Sequence, residues 1–382
     1  LQYLCAVLEK ENIQTMIYDQ TVTGFDFDWL LTELKSKGYD MVGFSVSDPQ
    51  EDTVKEICKK IKKELDIITI VGGPSTLENS SFVEYDCDIC IHGEAETTIK
   101  EIIEFFKGEK EIDEVKGISY RDGKGNIHSN EAQPLIQDLD TIPYPERSKI
   151  DINAYYDWFL FGMEKPYVTM TASRGCIYRC NYCTSPNQWG FKQRMRSVDN
   201  VIGEIDQLVE EYGVRYIAFQ DDIFGITYKW IEEFCTKLIQ RPYKVKWMCI
   251  LHPFTFRNDD RDKILKLMRE AGCDTLSFGL QSAHPEILKN INRNPEQHIE
   301  LRKTLQAAKK YNFITAVGFI FGLPGDTKET IQTTIDYSTT CGATLVNFYI
   351  LEVLRGSELD RLFKKGELPK CKLSSEEVTD LT

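Results

Sequence analysis

Residues 167–183 read YVTMTASRGCIYRCNYC: an apolar run that turns at a glycine and then presents Cys176, Cys180 and Cys183. The run has the branched residues and alternation of a buried strand, closed by a Ser-Arg-Gly turn. The thiols therefore sit in the loop that follows a strand. Soft sulfur ligands favour zinc or an iron–sulfur cluster over hard cations. A closed zinc site wants four ligands, usually as two pairs, and the next cysteine downstream is the distant Cys235. On a four-iron cluster, three thiolates leave one iron open, where a small molecule can bind through amine and carboxylate groups.

Outward from this loop the chain repeats. Candidate strands begin near Tyr167, Arg215, Lys244, Thr275, Ile314 and Thr344, and an amphipathic helix follows each of the first five. Such β/α units, roughly thirty residues each, predict a partial (β/α)6 barrel of the TIM type over 167–382, with reactive groups in the loops after the strands. Upstream, helices near 27–37, 50–64 and 95–106 alternate with TMIYD, MVGFSVS, IITIVGG and DICIHG, and a hairpin follows in GISYRDGKGNIH. That alternation predicts a Rossmann-like, doubly wound α/β domain over 1–133. Residues 134–166, proline-bearing and weakly periodic, read as a linker whose aromatics (Tyr144, Tyr155, Tyr156, Trp158, Phe159, Phe161) pack against something. The chain opens in a helix where such a domain begins with a strand, and it stops at SSEEVTDLT, an apparent helix start. It reads as a fragment lacking the first strand and most of a C-terminal extension.

The 382 residues carry a formal net charge of −14, which argues against binding nucleic acid. No apolar run approaches the roughly eighteen residues of a membrane-spanning helix, and no leader precedes the first helix. Nine of the twelve cysteines are scattered, mostly in apolar runs. They predict reduced core thiols and a cytoplasmic location. Cys87 and Cys90 mimic a C-x-x-C pair, but on one strand they would point to opposite faces and are read as structural. Arg194 and Arg196 read as surface charges or as contacts to a substrate or a carboxylate. His252 follows the third strand of the repeat, on the reactive face, and is a candidate acid, base or ligand; no catalytic residue is assigned beyond it.

The C-x3-C-x2-C triplet, with the aromatic Tyr182 beside the last cysteine, resembles the radical S-adenosylmethionine superfamily. The resemblance covers nearly all of 167–360 and implies a [4Fe-4S] cluster on Cys176, Cys180 and Cys183 whose open iron chelates S-adenosylmethionine. Reductive cleavage then gives a 5′-deoxyadenosyl radical that abstracts a substrate hydrogen. By position, Asp221 or Asp222 (FQDDIF) would hold the methionine amino group. Gln281 and Ser282 (GLQS) would contact ribose or the methionine end, with glutamine where an acid is more frequent. Gly318 and Ile320 (GFIFG) would pack against adenine. Residues 1–133 resemble the cobalamin-binding domain of one branch of that superfamily. The resemblance places Ser45, Ser47, Gly72, Gly73, Gly93 and Glu94 at the cobalamin rim. The D-x-H-x-x-G motif is absent, and Ser75 stands where a histidine is common.

That branch implies methyl transfer to an unactivated carbon as its most frequent reaction. A radical cyclase, rearrangement or oxidation enzyme is the alternative, and a non-catalytic metal-binding protein the distant one. The transfer-RNA methylthiotransferase branch needs a second cysteine triplet, which Cys5, Cys58, Cys87 and Cys90 do not form, and usually a basic C-terminal RNA-binding domain, whereas this chain is acidic. The implied partners are a small-molecule, lipid or peptide substrate and an external electron donor such as flavodoxin or ferredoxin.

Overall fold

The computed structural model describes residues 1–65, 67–77, 81–155, 164–225, 227–256 and 260–367. The chain divides into two compact units. One comprises 1–155 with 187–189, the other 156–186 with 190–382.

In the first unit, helices α1 (Gln2–Lys10), α2 (Gln20–Thr23) and α3 (Phe27–Lys37) precede strand β1 (Met41–Ser45). Then follow α4 (Glu51–Glu64), β2 (Ile68–Gly72), β3 (Ile89–Ile91), α5 (Ala95–Phe106), β4 (Ile118–Arg121) and β5 (Ile127–Ser129). The boundaries follow from local chemistry. Asp26 caps α3 by accepting from Trp29 N, and Gly38 ends it at φ 66°, in the left-handed region glycine adopts without a Cβ clash. Helix α4 buries Val54, Ile57, Cys58 and Ile61, one apolar stripe at helical spacing. The sheet order is β1-β2-β3-β4-β5. The first three strands are parallel, and β4 and β5 form the expected antiparallel hairpin.

Two expectations fail here. Thr15–Asp19, predicted as a strand, is extended but pairs with none. Among the described residues β1 has β2 as its one neighbour, so the segment is held by side chains: Thr15 Oγ1 donates to Glu9 and Tyr18 Oη to Glu33. Cys87 and Cys90 do not face opposite ways. Cys87 lies ahead of β3, just after Asp86 at φ 65°, and the turn rotates its thiol into the buried cluster that holds Cys58 and Cys90. Both thiols are pushed up in pKa; for Cys90 burial is the main cause, and for Cys87 a hydrogen bond with Cys58 comes first. They are inert core groups. Residues 134–155 pack within this unit, burying Leu139, Ile142, Arg147 and Ile152. The linker aromatics Tyr156, Trp158, Phe159 and Phe161, and Cys371, lie outside the described residues.

The second unit is built on one parallel sheet of order β13-β12-β11-β10-β9-β6. Its strands are β6 (Tyr167–Met170), β9 (Tyr216–Phe219), β10 (Lys246–Leu251), β11 (Cys273–Gln281), β12 (Ile314–Phe321) and β13 (Leu345–Ile350). Between β6 and β9 lie a two-stranded ribbon, β7 (Ser173–Arg174) with β8 (Arg194–Met195), and the short α6 (Ser185–Trp189). Helices α7 (Val198–Tyr212), α8 (Tyr228–Ile239), α9 (Arg261–Glu270), α10 (Pro285–Asn290), α11 (Gln297–Lys310), α12 (Lys328–Thr340) and α13 (Glu358–Lys365) complete the unit. No helix among the described residues is long and apolar enough to cross a membrane.

The register separates the two faces of this sheet. Phe219 and Trp247 meet Phe234 of α8, and Phe319 and Phe321 stack on Phe348. That is the outer, helix-covered face. Residues one position away in each strand point inward. Cα partners across the ladders put Thr169 with Ala218, Ile250 with Ser277, Ser277 with Ala316, and Gly279 with Gly318 on that inner face. Barrel interiors are ordinarily filled by bulky branched residues. Here the middle of the face carries Thr, Ala, Ser and Gly, and β12 alternates half-buried inner with buried outer positions.

Arg194 and Arg196 are not surface charges: both are buried. Arg196 Nη1 lies 2.5 Å from Glu204 Oε2 and also donates to Thr171 O at 2.8 Å, tying α7 to the end of β6. Glu204 is fully buried, so removing its charge strands a desolvated guanidinium. Glu204→Ala is expected to destabilise this unit by about 3–5 kcal/mol, read from its urea unfolding transition.

Candidate active site

The cysteine loop, 175–184, has almost no regular structure, so its polar groups must be satisfied from elsewhere. The segment after α10 does this. Asn181 Nδ2 donates to Asn290 O at 2.7 Å, Asn292 Nδ2 to Arg179 O at 2.6 Å, and Asn181 N to Ile291 O at 3.4 Å. Arg293 donates to Tyr182 Oη at 3.0 Å and to Cys180 Sγ at 3.7 Å through Nη1, and to Gly279 O at 2.6 Å through Nη2. Gln297 Oε1 braces its Nε at 2.9 Å. Asn290, Asn292 and Arg293 drew no attention in the sequence. Two asparagines and an arginine in four residues (NINR, 290–293) at the end of a helix were the available signal.

Cys176, Cys180 and Cys183 are free, half-buried thiols. Burial pushes the Cys176 thiol up to about 11 and raises that of Cys183, and the charge of Asp222 adds to both. Among the described residues, no three His, Cys, Asp or Glu groups converge on a single-ion position. A cluster bound at one iron per thiolate does not require them to. Buried polar atoms without a protein partner near the same loop are the acceptors Asn181 Oδ1 and Gln193 Oε1 and the ring nitrogen His252 Nε2. The Arg293 cation beside Cys180 fits an anionic iron–sulfur cluster, as does a donor at His252 Nε2; the two amide oxygens can only accept and do not bear on it.

The two aspartates after β9 have different neighbours. Asp221 is buried beneath the cysteine loop, accepting from Ala172 N at 3.1 Å and from Ser173 Oγ. Burial raises its pKa to about 7, against the pull of those hydrogen bonds. Asp222 is exposed and takes the Ser185 hydroxyl at 2.6 Å. Gln281 closes β11 at φ 73°, beyond a register shift after Gly279. A non-glycine residue held there is uncommon, and such bulges re-aim side chains beside functional sites. Ser282 is buried and already engaged, close to Thr334 Oγ1 at 3.2 Å and accepting from His284 N at 3.1 Å. A Cβ on Gly318 would make only ordinary contacts with Tyr349 and Phe278, so nothing in the protein itself demands glycine there. Ile320 and Tyr182 pack on one apolar cluster with Ile287, Leu288, Ile291 and Leu323.

His252 is also drawn in: its ring stacks on Tyr178 of the cysteine loop, centroids 3.7 Å apart. Burial and, secondarily, the charge of Arg293 hold its pKa well below the ordinary range. With Nδ1 accepting from Phe254 N, the proton belongs on Nε2, and the ring is a neutral donor.

In the first unit the named rim residues follow the C-terminal ends of β1, β2 and β3, where doubly wound sheets bind ligands. Ser45 and Ser47 are exposed, and Gly93 (φ 81°) faces open space. Gly73, at φ 113°, serves the backbone: a Cβ there would stand 2.7 Å from Val46 N and O. Glu94 is buried and accepts from Ile136 N at 2.7 Å. Ser75 is buried and donates to Asp48. Of the named residues, Ser45, Ser47 and Gly93 are thus open, while Gly73, Ser75 and Glu94 serve the fold.

A β/α sheet unit with a three-thiol loop, preceded in the chain by a Rossmann-type domain, defines a class of iron–sulfur radical enzyme. Comparisons with known proteins agree. Residues 170–338 match the Radical SAM superfamily and residues 1–103 the B12 binding domain. The chain is 30% identical over 368 residues to an uncharacterized methyltransferase of Pyrococcus horikoshii, covering 94% of this chain and 76% of that protein. It is 26% identical to the cytidylyl-2-hydroxyethylphosphonate methyltransferase of Streptomyces wedmorensis, with the same two coverages. The solved cobalamin-dependent S-adenosylmethionine radical enzyme OxsB shares the fold, at TM-score 0.81 and 20% identity over 96% of this chain and 58% of that one. The chain thus spans somewhat over half the length of that solved protein. It belongs to the radical SAM superfamily, in the branch that carries an N-terminal B12-binding domain. Its cofactors are accordingly a [4Fe-4S] cluster, S-adenosylmethionine and cobalamin.

The buried Asp221 gives this site a pH signature. Its folded pKa, about 7, lies above the ordinary 3.8, so between those values the folded chain keeps a proton that the unfolded chain releases. Stability therefore falls as pH rises across that window and levels off above it. Asp221→Asn removes the dependence. Its stability relative to the parent should climb from pH 4 to 7 at up to about 1.4 kcal/mol per unit, as read by denaturant titrations at several pH values.

Proposed function

We propose that the protein is a cobalamin-dependent radical methyltransferase, acting on an unactivated carbon of a small-molecule substrate. The observation that carries the reading is the middle of the second sheet's inner face, where Thr169, Ser277, Gly279, Ala316 and Gly318 are small and not fully buried, next to the three-thiol loop. Small side chains leave volume for a ligand directly beside the loop that would hold the metal. The names of the two methyltransferase relatives support methyl transfer over cyclisation or rearrangement.

Cys176, Cys180 and Cys183 would hold the cluster, with the fourth iron facing that volume. When bound, the cluster and S-adenosylmethionine supply the one-electron chemistry that opens a C–H bond, and cobalamin supplies a transferable methyl group. Asp222, exposed and beside the loop, is the carboxylate placed to take the methionine amino group, while Asp221 fixes the backbone at Ala172 and Ser173. The Gln281 amide, aimed by its bulge, would meet the methionine or ribose end. Ile320, seated with Tyr182, would offer a flat apolar surface to the adenine. Ser282 and His252 act through the fold: the first supports the start of α10, and the second backs Tyr178. Ser45, Ser47, Gly72 and Gly93 would form the cobalamin rim, with Gly73 and Glu94 shaping the backbone beneath it. A small reductase partner such as flavodoxin or ferredoxin would supply the electron.

The chain, reconstituted anaerobically with iron and sulfide, should show brown cluster absorbance and convert S-adenosylmethionine to 5′-deoxyadenosine under dithionite. Cys180→Ala should lose both; retention of both would sink the cluster reading. After incubation with hydroxocobalamin and gel filtration, corrin bands should co-elute in stoichiometric amount. Bands wholly in the small-molecule fraction, with the cluster intact, would favour a cobalamin-free radical reaction.

A further inference from the structure

We infer that Arg293 sets the reduction potential of the iron–sulfur cluster, through a charged hydrogen bond to one of its three thiolates. This rests on the reading that Cys180 is a cluster ligand. Cys180 is the thiol of the triplet beside which a cation lies, with Arg293 Nη1 3.7 Å from its Sγ. The guanidinium is fixed at every other nitrogen. Nε is held by Gln297 Oε1 at 2.9 Å, Nη2 by Gly279 O at 2.6 Å, and Nη1 is shared with Tyr182 Oη at 3.0 Å. Gln297 is itself buried. A rigid, planar fork of this kind presents its charge at one place, which a flexible surface lysine does not.

The consequence for the cluster is electrostatic. Reduction adds one negative charge to a centre that is already anionic. A nearby cation and an N–H donor to sulfur stabilise the reduced form more than the oxidised one, which raises the potential. The ion pair is half-buried, so solvent screens it incompletely. Arg293 also touches Gly279 O, one strand position from the bulge that turns Gln281. One side chain thereby joins the electron-accepting loop to the strand end where S-adenosylmethionine would sit. Arg293 is a positioning residue, and its role is legible in a potential and not in turnover alone.

The test is an EPR-monitored redox titration of the anaerobically reconstituted full chain without S-adenosylmethionine, comparing parent, Arg293→Gln and Arg293→Lys. Iron content and the absorbance of the parent check the cluster reading by themselves; a parent that takes up no iron overturns that reading and this inference with it. With the parent loaded, Arg293→Gln should be reduced to a lower ratio at any fixed potential, by about tenfold, equivalent to about 59 mV for a one-electron couple. Arg293→Lys keeps the charge but cannot serve Cys180, Tyr182 and Gly279 together, so its shift should have the same sign and be smaller. A loaded Arg293→Gln cluster with the parent's potential overturns the inference. If Arg293→Gln holds no iron, Arg293→Lys decides, and equality with the parent overturns it. If neither variant holds iron while the parent does, Arg293 serves assembly of the site and the tuning role is rejected.

Discussion

A loop that presents three thiols to a metal cannot also spend its backbone on a helix or a strand. The residues from Gly175 to Thr184 must arc around whatever they bind, and their donors and acceptors then need partners from elsewhere in the chain. The structure meets this with one short segment more than a hundred residues away. Asn290, Ile291, Asn292 and Arg293 engage Asn181, Arg179, Tyr182 and Cys180. Asn290 also donates to Pro324 O, and its amide is what a Cβ on Gly325 would strike. The turn after β12 is therefore drawn into the same knot. The cysteine loop, the end of β11 and the end of β12 are fixed relative to one another by side-chain amides and one guanidinium. Where a member serves a buried group, as Asn290 O does for Asn181, its loss leaves a buried polar group unpaired at a cost of about 1–3 kcal/mol; the exposed Asn292–Arg179 bond adds less.

The sheet contributes in a different way. Alternation along the parallel strands assigns the phenylalanines and Trp247 to the helix-covered face, while Ser277, Gly279, Ala316 and Gly318 keep the middle of the inner face small between Ile250 and Ile320. The outer face is dense: Phe219, Phe224, Phe234 and Trp247 meet edge-on or tilted in a single aromatic cluster. Burying those rings supplies stability that the inner face, kept small, does not. A barrel that filled its interior with Val and Leu would be firmer and would have no room for a ligand. The fold thus draws its rigidity from one side of the sheet and its chemistry from the other.

Much of this could be read in the sequence, because the signals are local. Six strands and five helices announce themselves by periodicity, and the C-x3-C-x2-C spacing marks the loop. What escaped was non-local. The strand expected at Thr15–Asp19 has the right composition, but a strand exists only where a neighbour pairs with it. Cys87 and Cys90 fall in one cluster because Cys87 lies outside β3, in the segment that leaves the left-handed turn at Asp86, where strand parity does not apply. Arg196 looks like any charged residue before a helix until Glu204, two turns into α7, is found facing it in the core. Arg293 lies in a stretch without apolar pattern, and apart from Gln297 its partners are separated from it by 14 to 113 residues. Composition carries no record of such pairings.

Adjacent residues can be sent to opposite tasks by the same geometry. Asp221 and Asp222 leave the end of β9 with side chains on opposite sides of the backbone. One carboxylate goes under the loop, desolvated and surrounded by donors from Ala172 and Ser173; the other goes out toward Ser185 and open solvent. A buried carboxylate that already accepts several hydrogen bonds has little left to offer a ligand, and its burial favours the protonated form. The pKa of Asp222 is raised as well, by partial desolvation against hydrogen bonds from Ser185 and Gly175, but its surface stays open to a ligand. The division between a carboxylate that builds the loop and one available to an ammonium group follows from strand parity and desolvation together. Neither residue could exchange places with the other without moving the strand that carries them.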